Sequence, residues 1–337
     1  MGRVLVTGGG GFLGGAVVDR LLARGLEVRS FARGAYPALA ARGVEVHQGD
    51  LADAAAVSAA VAGCEAVIHV AALPGVWGPA SAFERANTLG TQHILDACRA
   101  HGVGRLVYTS TPSVVHAGGD IEGADESLPY PDHFATHYPR TKAAAERAVL
   151  AANGPDLATI ALRPHLIWGP GDNHLVPRIL ARARAGRLRL VGGGKKLVDT
   201  TYIDNAADAH LDALDRLTPR SASAGRAYFI SNGEPRPMAD IINAMLAAGG
   251  LGPCTRTISP RAAWAVGAVL EGVFGLLRLE REPPMTRFVA EQLSTAHWYD
   301  ISAARRDLGY APAVSLDEGF RRLQAALAAP TGLLGAG

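Results

Sequence analysis

Cysteine is scarce in this sequence. The three residues, Cys64, Cys98 and Cys254, stand far apart with no CxxC pair. That spacing argues against a disulfide framework or a zinc site and fits a reducing compartment. An excess of one charge is also missing. Against 33 basic residues there are 31 acidic ones, a formal net charge of +2. A nucleic-acid binder would carry a basic footprint, so a small molecule is the expected partner. No apolar run reaches the length that spans a bilayer. The nearest, residues 262–277, is interrupted by Glu271. The first apolar run, residues 3–7, begins almost at the initiator Met and ends in glycines, so it reads as a strand and not as a signal peptide. A cytoplasmic protein is expected.

What is present is a globular chain of 337 residues, 48% hydrophobic and 19% charged, long enough for one large domain or two smaller ones. Short β-branched runs at 3–7, 27–32, 44–47, 66–72, 105–110 and 158–163 alternate with helical patterns at 13–24, 54–62, 83–101 and 139–152. Strands alternating with helices predict an α/β fold, a Rossmann-type doubly wound parallel sheet covered on both faces. After about residue 164 the pattern loosens. Strand candidates at 197–203 and 227–230 flank a helix at 205–217, and the rest is mostly helical. We read a dinucleotide-binding domain over 1–165, rejoined by 196–231. A smaller, mostly helical substrate domain takes 166–195 and 232–329, and 330–337 is a frayed tail.

Between the first strand and first helix lies Thr7-Gly8-Gly9-Gly10-Gly11-Phe12-Leu13-Gly14. Glycines at this spacing let the backbone turn sharply and approach a pyrophosphate at a helix N-terminus, where free N–H groups and the dipole favour an anion. A glycine turn without a ligand is the bland alternative, but the strand–turn–helix setting favours a nucleotide. The end of the second strand discriminates between cofactors. An NAD site usually carries an acid there; here Ala32-Arg33-Gly34 has none, and Arg33 suits the 2′-phosphate of NADP(H). Asp50, followed by Leu51, is placed either at the adenine amino group or as the cap of the next helix. The small Ala71 lies at the end of the fourth strand, where the backbone must lie close to a cofactor.

Tyr138 and Lys142 are four residues apart at the start of a helix and share one face. A neighbouring ammonium stabilises a phenolate, so Lys142 is expected to lower the pKa of Tyr138 toward neutrality and ready it for proton transfer. Alone, Y-x-x-x-K is a weak pattern; after a fifth Rossmann strand ending in Thr109-Ser110-Thr111 it is strong. A hydroxyl at that strand end faces the ligand crevice.

Together these segments and Leu162-Arg163-Pro164-His165, with Trp168-Gly169-Pro170-Gly171-Asp172, resemble the extended short-chain dehydrogenase/reductases over nearly the whole chain. The resemblance implies a Thr111–Tyr138–Lys142 active site, a structural or proton-relay Asn87, and backbone contacts to the nicotinamide after Pro164, including His165. It also implies a homodimer through the helices at 83–101 and 139–152. Within that family the chain resembles the 3β-hydroxysteroid dehydrogenase group, sterol-4-carboxylate decarboxylating dehydrogenases included. It is more similar still to the bacterial olefin-biosynthesis reductases that convert 2-alkyl-3-oxoalkanoates to 3-hydroxy acids. The hydroxysteroid resemblance is carried by Leu162-Arg163-Pro164-His165, residues 173–177 and 200–205 and Asn232-Gly233-Glu234-Pro235, and the olefin-reductase resemblance by residues 108–114, 168–174 and 282–288. The implied activity is NADPH-dependent reduction of a long-chain 2-alkyl-3-oxo acid, with assembly among other enzymes of that pathway. The alternatives are a hydroxysteroid dehydrogenase and a nucleotide-sugar epimerase or dehydratase. Dehydratases usually carry Asp-Glu after the catalytic Thr, whereas Pro112-Ser113 follows here.

For a substrate carboxylate the candidates are His165, Arg178 and the run Arg182, Arg184 and Arg187, the run reading more readily as a solvated helix face and His165 more readily as a satisfied structural histidine. Residues 117–137 read as a mobile loop that closes the site. The apolar stretch 261–278 reads first as a buried helix of the C-terminal domain. Its functional reading is an amphipathic flap over an acyl chain, touching a membrane surface or partner.

Overall fold

Strand β1, Val4–Thr7, is buried at all four positions, as a central strand covered on both faces must be. The computed structural model describes residues 2–279 and 281–329. In it β1 pairs in parallel with β2 (Val28–Ala32) on one side and β4 (Ala66–His69) on the other. Beyond β2 lies β3 (Glu45–Gln48), and beyond β4 lies β5 (Arg105–Thr109). The strands Ala158–Pro164 and Arg226–Ile230 complete a seven-stranded parallel sheet. Strand order reverses between β1 and β4, and the crevice outside the carboxyl ends at such a point is where α/β sheets bind ligands.

Alternation along the strands feeds two cores. Val4, Val6, Ile68 and Val107 face one layer, and Leu5, Val67, Leu106 and Tyr108 face the other. Helix α1, Phe12–Ala23, buries Leu13, Val17 and Leu21 at helical spacing and packs beside helix Ile203–Arg216. On the opposite side helix Ala54–Val61 packs against Gly90–Ala100. Asp53 caps the former by accepting from the N–H groups of Ala55 and Ala56. The cap expected at Asp50 is therefore one turn-residue cluster later, and Asp50 instead accepts from the Ala52 N–H.

A second, four-stranded sheet joins Ile121–Ala124, Leu197–Val198, Arg236–Pro237 and His297–Tyr299. It corrects two expectations. The segment 117–137 is not simply a loop, because Ile121–Ala124 pairs with His297–Tyr299. The single strand expected at 197–203 is two short ones, Leu197–Val198 and Thr201–Tyr202, which belong to different sheets. Two-residue strands are too short to show a period, so neither was legible locally.

Helix Pro260–Leu276 corrects a third. It buries only Ala263, Gly267 and Phe274, while Trp264 is 50%, Val269 65% and Leu276 84% exposed. The contact stripe is narrow because Gly267 lies directly on the Thr286–Arg287 backbone, where a Cβ would come within 2.6 Å of the Thr286 carbonyl carbon. Among the described residues no helix is long and apolar enough to cross a membrane. The tail at 330–337 lies outside the described residues.

Candidate active site

The glycine loop folds back on itself at the carboxyl end of β1. Gly8 takes φ +71°, and a Cβ on Gly14 would lie 2.0 Å from the Gly8 carbonyl oxygen, so neither position admits a side chain. Ala71 packs against Gly8 and donates its N–H to Thr7 Oγ1 at 3.0 Å. Gly11 is the N-cap of α1 and no side chain caps it, which leaves the first turn open to an anion. Leu13 is buried beneath that turn, and Phe12 is part-buried. A groove of about 500 Å³ opens beside it, lined by Gly10, Gly11, Phe12, Gly171, Asn173 and Arg322 among others. This cradle, which a Cβ would fill, fits a dinucleotide pyrophosphate.

At the end of β2 the Arg33 side chain is exposed and has no ion-pair partner among the described residues; its carbonyl accepts from Gln48 Nε2. Sequence reasoning passed over Tyr36, whose ring lies on Gly10 so closely that a Cβ there would be 2.3 Å from it. Tyr36 holds φ +43°, a strained value for an aromatic residue, and no local pattern signals it. Leu51 packs on Gly90, and its carbonyl accepts from His93 Nδ1.

Asn87 sits in a π-helical stretch, Glu84–Leu89, 2% exposed. Its Oδ1 accepts from the Leu73 N–H at 2.7 Å, while Nδ2 donates to the Leu73 carbonyl and to Thr141 Oγ1, each at 3.1 Å. It thereby fastens the segment after β4 to the helix that carries Tyr138, and both amide protons are spent on that task.

Helix His137–Ala151 presents Tyr138 and Lys142 from its first two turns. Burial pushes the Tyr138 phenol up to about 12, with the neighbouring Thr111 hydroxyl opposing that shift. Thr111 also caps the short turn Pro112–Val115. Lys142 is 2% exposed; its Nζ donates to the Thr109 carbonyl at 2.6 Å and stands 4.1 Å from the centre of the Tyr108 ring. Burial lowers its pKa to about 7, against the opposing pull of Glu146. The expected depression of Tyr138 by Lys142 is thus not present in the protein alone. The ammonium is directed at a carbonyl and a ring face, and desolvation governs the phenol.

One turn further, Glu146 meets Arg163 in a buried bidentate pair, at 2.6 and 3.0 Å, and Tyr130 OH donates to Glu146 Oε1 at 2.6 Å. This locks the helix onto the strand that ends in Pro164. His165, just beyond, donates its N–H to the Ile230 carbonyl, and its Nδ1 lies 2.5 Å from Asp199 Oδ1. Asp199, 34 positions away, had no local signal. Among the carboxylate candidates, Arg178 pairs with Glu282 at 2.7 Å and Arg182 donates to the Pro284 carbonyl, while Arg184 and Arg187 are exposed.

Comparison with known proteins adds identity to this geometry. The model of the 3-beta hydroxysteroid dehydrogenase/isomerase family matches residues 5–257. The 2-alkyl-3-oxoalkanoate reductase of Stenotrophomonas maltophilia (strain K279a) is 56% identical, over 97% of this chain and 100% of its own. The protein of the same name from Shewanella oneidensis is 51% identical, over 96% of this chain and 86% of its own. Among solved structures, MoeE5 in complex with UDP-glucose and NAD aligns with TM-score 0.72 and 26% identity, covering 96% of this chain and 98% of that one.

Proposed function

The chain belongs to the 3-beta hydroxysteroid dehydrogenase/isomerase family and is an oxidoreductase using a nicotinamide dinucleotide, and from that premise we propose that it is an NADPH-dependent reductase of long-chain 2-alkyl-3-oxoalkanoic acids, yielding the 2-alkyl-3-hydroxy acids. The observation that carries the reading is the placing of Tyr138 and Lys142 on the first two turns of one helix, with Thr111 beside Tyr138 at the carboxyl end of β5. A protonated phenol so placed can donate to the oxygen of a ketone as negative charge develops there. The choice of substrate is supported by the name and 56% identity of the Stenotrophomonas relative.

The glycine loop and the first turn of α1 would hold the pyrophosphate, and Arg33, exposed and without an ion-pair partner among the described residues, would face a 2′-phosphate. The bound nicotinamide supplies the hydride. Tyr138 donates its proton to the oxygen of the 3-oxo group as negative charge develops there, and the Thr111 hydroxyl hydrogen-bonds the same oxygen. Lys142, a turn away, contributes positive charge when protonated. Asn87 keeps the helix in register with the segment after β4.

The exposed face of helix Pro260–Leu276 supports a peripheral contact with a lipid surface. Its apolar residues are bracketed by the exposed Arg261, Arg278 and Arg281, a complement to anionic headgroups. It also touches the rim of the site. Trp77, from the segment after β4, meets Phe274 edge-on and donates its Nε1–H to the Leu279 carbonyl at 2.9 Å.

The test is loss of NADPH absorbance with a racemic long-chain 2-alkyl-3-oxo acid, or NADP⁺ reduction with the 3-hydroxy acid. Turnover that prefers NADP(H), and falls by roughly 10²- to 10⁴-fold in Tyr138→Phe while NADPH still binds, is the expected result. Activity on a 3β-hydroxysteroid with NAD⁺, and none on the acid, would overturn it.

A further inference from the structure

His165 is built like a receptor, not like a filler of the core. Asp199 is 1% exposed and its two oxygens are taken by His165 Nδ1, at 2.5 Å, and by the Tyr299 N–H, at 3.0 Å. An ionised carboxylate only accepts hydrogen bonds, so His165 donates from Nδ1 and Nε2 becomes the outward nitrogen. The ring cannot turn, because His297 and Tyr299 meet it edge-on with centroids at 5.0 and 5.4 Å. Nε2 has no hydrogen-bond partner among the described residues and is not one of the sealed, unpaired atoms. With Asp199 as counter-ion, the imidazolium form offers an N–H there.

The neighbourhood holds several polar atoms without a partner. His116 Nε2, His297 Nδ1 and Ser110 Oγ are all buried without a partner. His116 follows the turn that Thr111 caps; burial lowers its pKa, Glu291 opposes that, and the nearby His165 adds to it. Ser110 donates its N–H to the Leu162 carbonyl at 2.6 Å, which puts the Ser110–Thr111 pair beside the Pro164–His165 end of the next strand. His297 donates from Nε2 to the Gln292 carbonyl, so its Nδ1 only accepts; the Ser110 hydroxyl and His116 Nε2 are the buried groups left free to donate, and a ligand rich in lone pairs would relieve the cost of leaving them unpaired. Of the arginines, Arg178 is held by Glu282, and Arg163 is held by Glu146 through Nε and Nη2 while its Nη1 stays without a partner.

We propose that His165, fixed by Asp199, receives the carboxylate of the substrate beside the Thr111–Tyr138 site, with His116 as a second donor. A 3-oxo acid carries its carboxylate two carbons from the reacting carbon, so recognition and chemistry fall at adjacent strand ends. The proposal rests on the reductase reading for its choice of ligand. Asp199 acts as a positioning residue.

The experiment uses two probes that cannot react, a 2-alkylalkanoic acid and its methyl ester, titrated calorimetrically into the protein with NADP⁺ present. The acid is expected to bind roughly 10- to 100-fold tighter than the ester, the range for a hydrogen bond to a charged group. His165→Gln should erase most of that preference without weakening NADP⁺. Equal affinity for acid and ester in the unaltered protein overturns the proposal. So does a His165→Gln variant that weakens both probes alike, or NADP⁺ in parallel. If that variant fails to fold, Asp199→Asn replaces it, with a smaller loss of acid preference expected and no loss overturning the positioning role. Tight acid binding without turnover of any 2-alkyl-3-oxo acid would remove the proposed function and leave the subsite standing.

Discussion

Glu146 lies one helical turn beyond Lys142 and grips Arg163 on the neighbouring strand through two hydrogen bonds, both side chains being sealed from solvent. The pair joins the helix that carries Tyr138 to the strand that ends at Pro164 and His165. A bidentate Arg–carboxylate contact is directional, so it sets the relative position of the two halves of the site. Glu146→Gln removes the charge while Arg163 stays buried. Breaking such a pair costs about 3 kcal/mol or more. The expected result is a clear fall in the urea midpoint, together with a loss of turnover out of proportion to any change in cofactor affinity. An unchanged midpoint would contradict the account.

Lys142 sets a pH limit. Burial brings its pKa down to about 7, so in the free enzyme it is charged below that value and neutral above it. If its charge serves the reaction, kcat/KM for the cofactor falls as pH rises through about 7. Lys142→Arg keeps its charge at every accessible pH, so in that variant the fall near 7 disappears, whatever its absolute rate. Persistence of the same inflection would assign it to another group.

On the proposed NADPH preference, Arg33 is the residue that would meet the 2′-phosphate. In Arg33→Ser the KM for NADPH is expected to rise about tenfold or more, the worth of a charge-assisted hydrogen bond. The KM for NADH should barely move. Equal changes for the two cofactors would show that Arg33 does not meet the 2′-phosphate.

The helix Pro260–Leu276 gives a surface prediction. The protein should co-sediment with vesicles containing phosphatidylglycerol, and less with phosphatidylcholine alone. Replacing Val269 or Leu276 by Asp should weaken that binding without lowering stability, since both side chains face solvent, 65% and 84% exposed. Equal sedimentation of the variants would rule this face out.

Much of the site was readable before any coordinates. The glycine loop, the alternation of strands with helices and the Tyr138–Lys142 spacing are all local, because a turn, a strand or a helix face is decided within a few residues. Such patterns carry the fold class and, with the joint motifs, the family. What they could not carry was the electrostatics at the reacting group. The i, i+4 spacing put Tyr138 and Lys142 on one face, but burial and the Thr109 carbonyl decided where the ammonium points and which way each pKa moves.

The second sheet and the Asp199–His165 couple were decided by tertiary structure alone. Ile121–Ala124 finds its partner at His297–Tyr299, and Asp199 meets His165 across 34 positions. Neither segment has a period long enough to read. The exposure of helix Pro260–Leu276 belongs with them: an apolar stretch specifies a helix, but whether its face is covered depends on what the rest of the chain brings against it. Here Gly267 admits the Thr286–Arg287 backbone along a narrow stripe and leaves the remainder open.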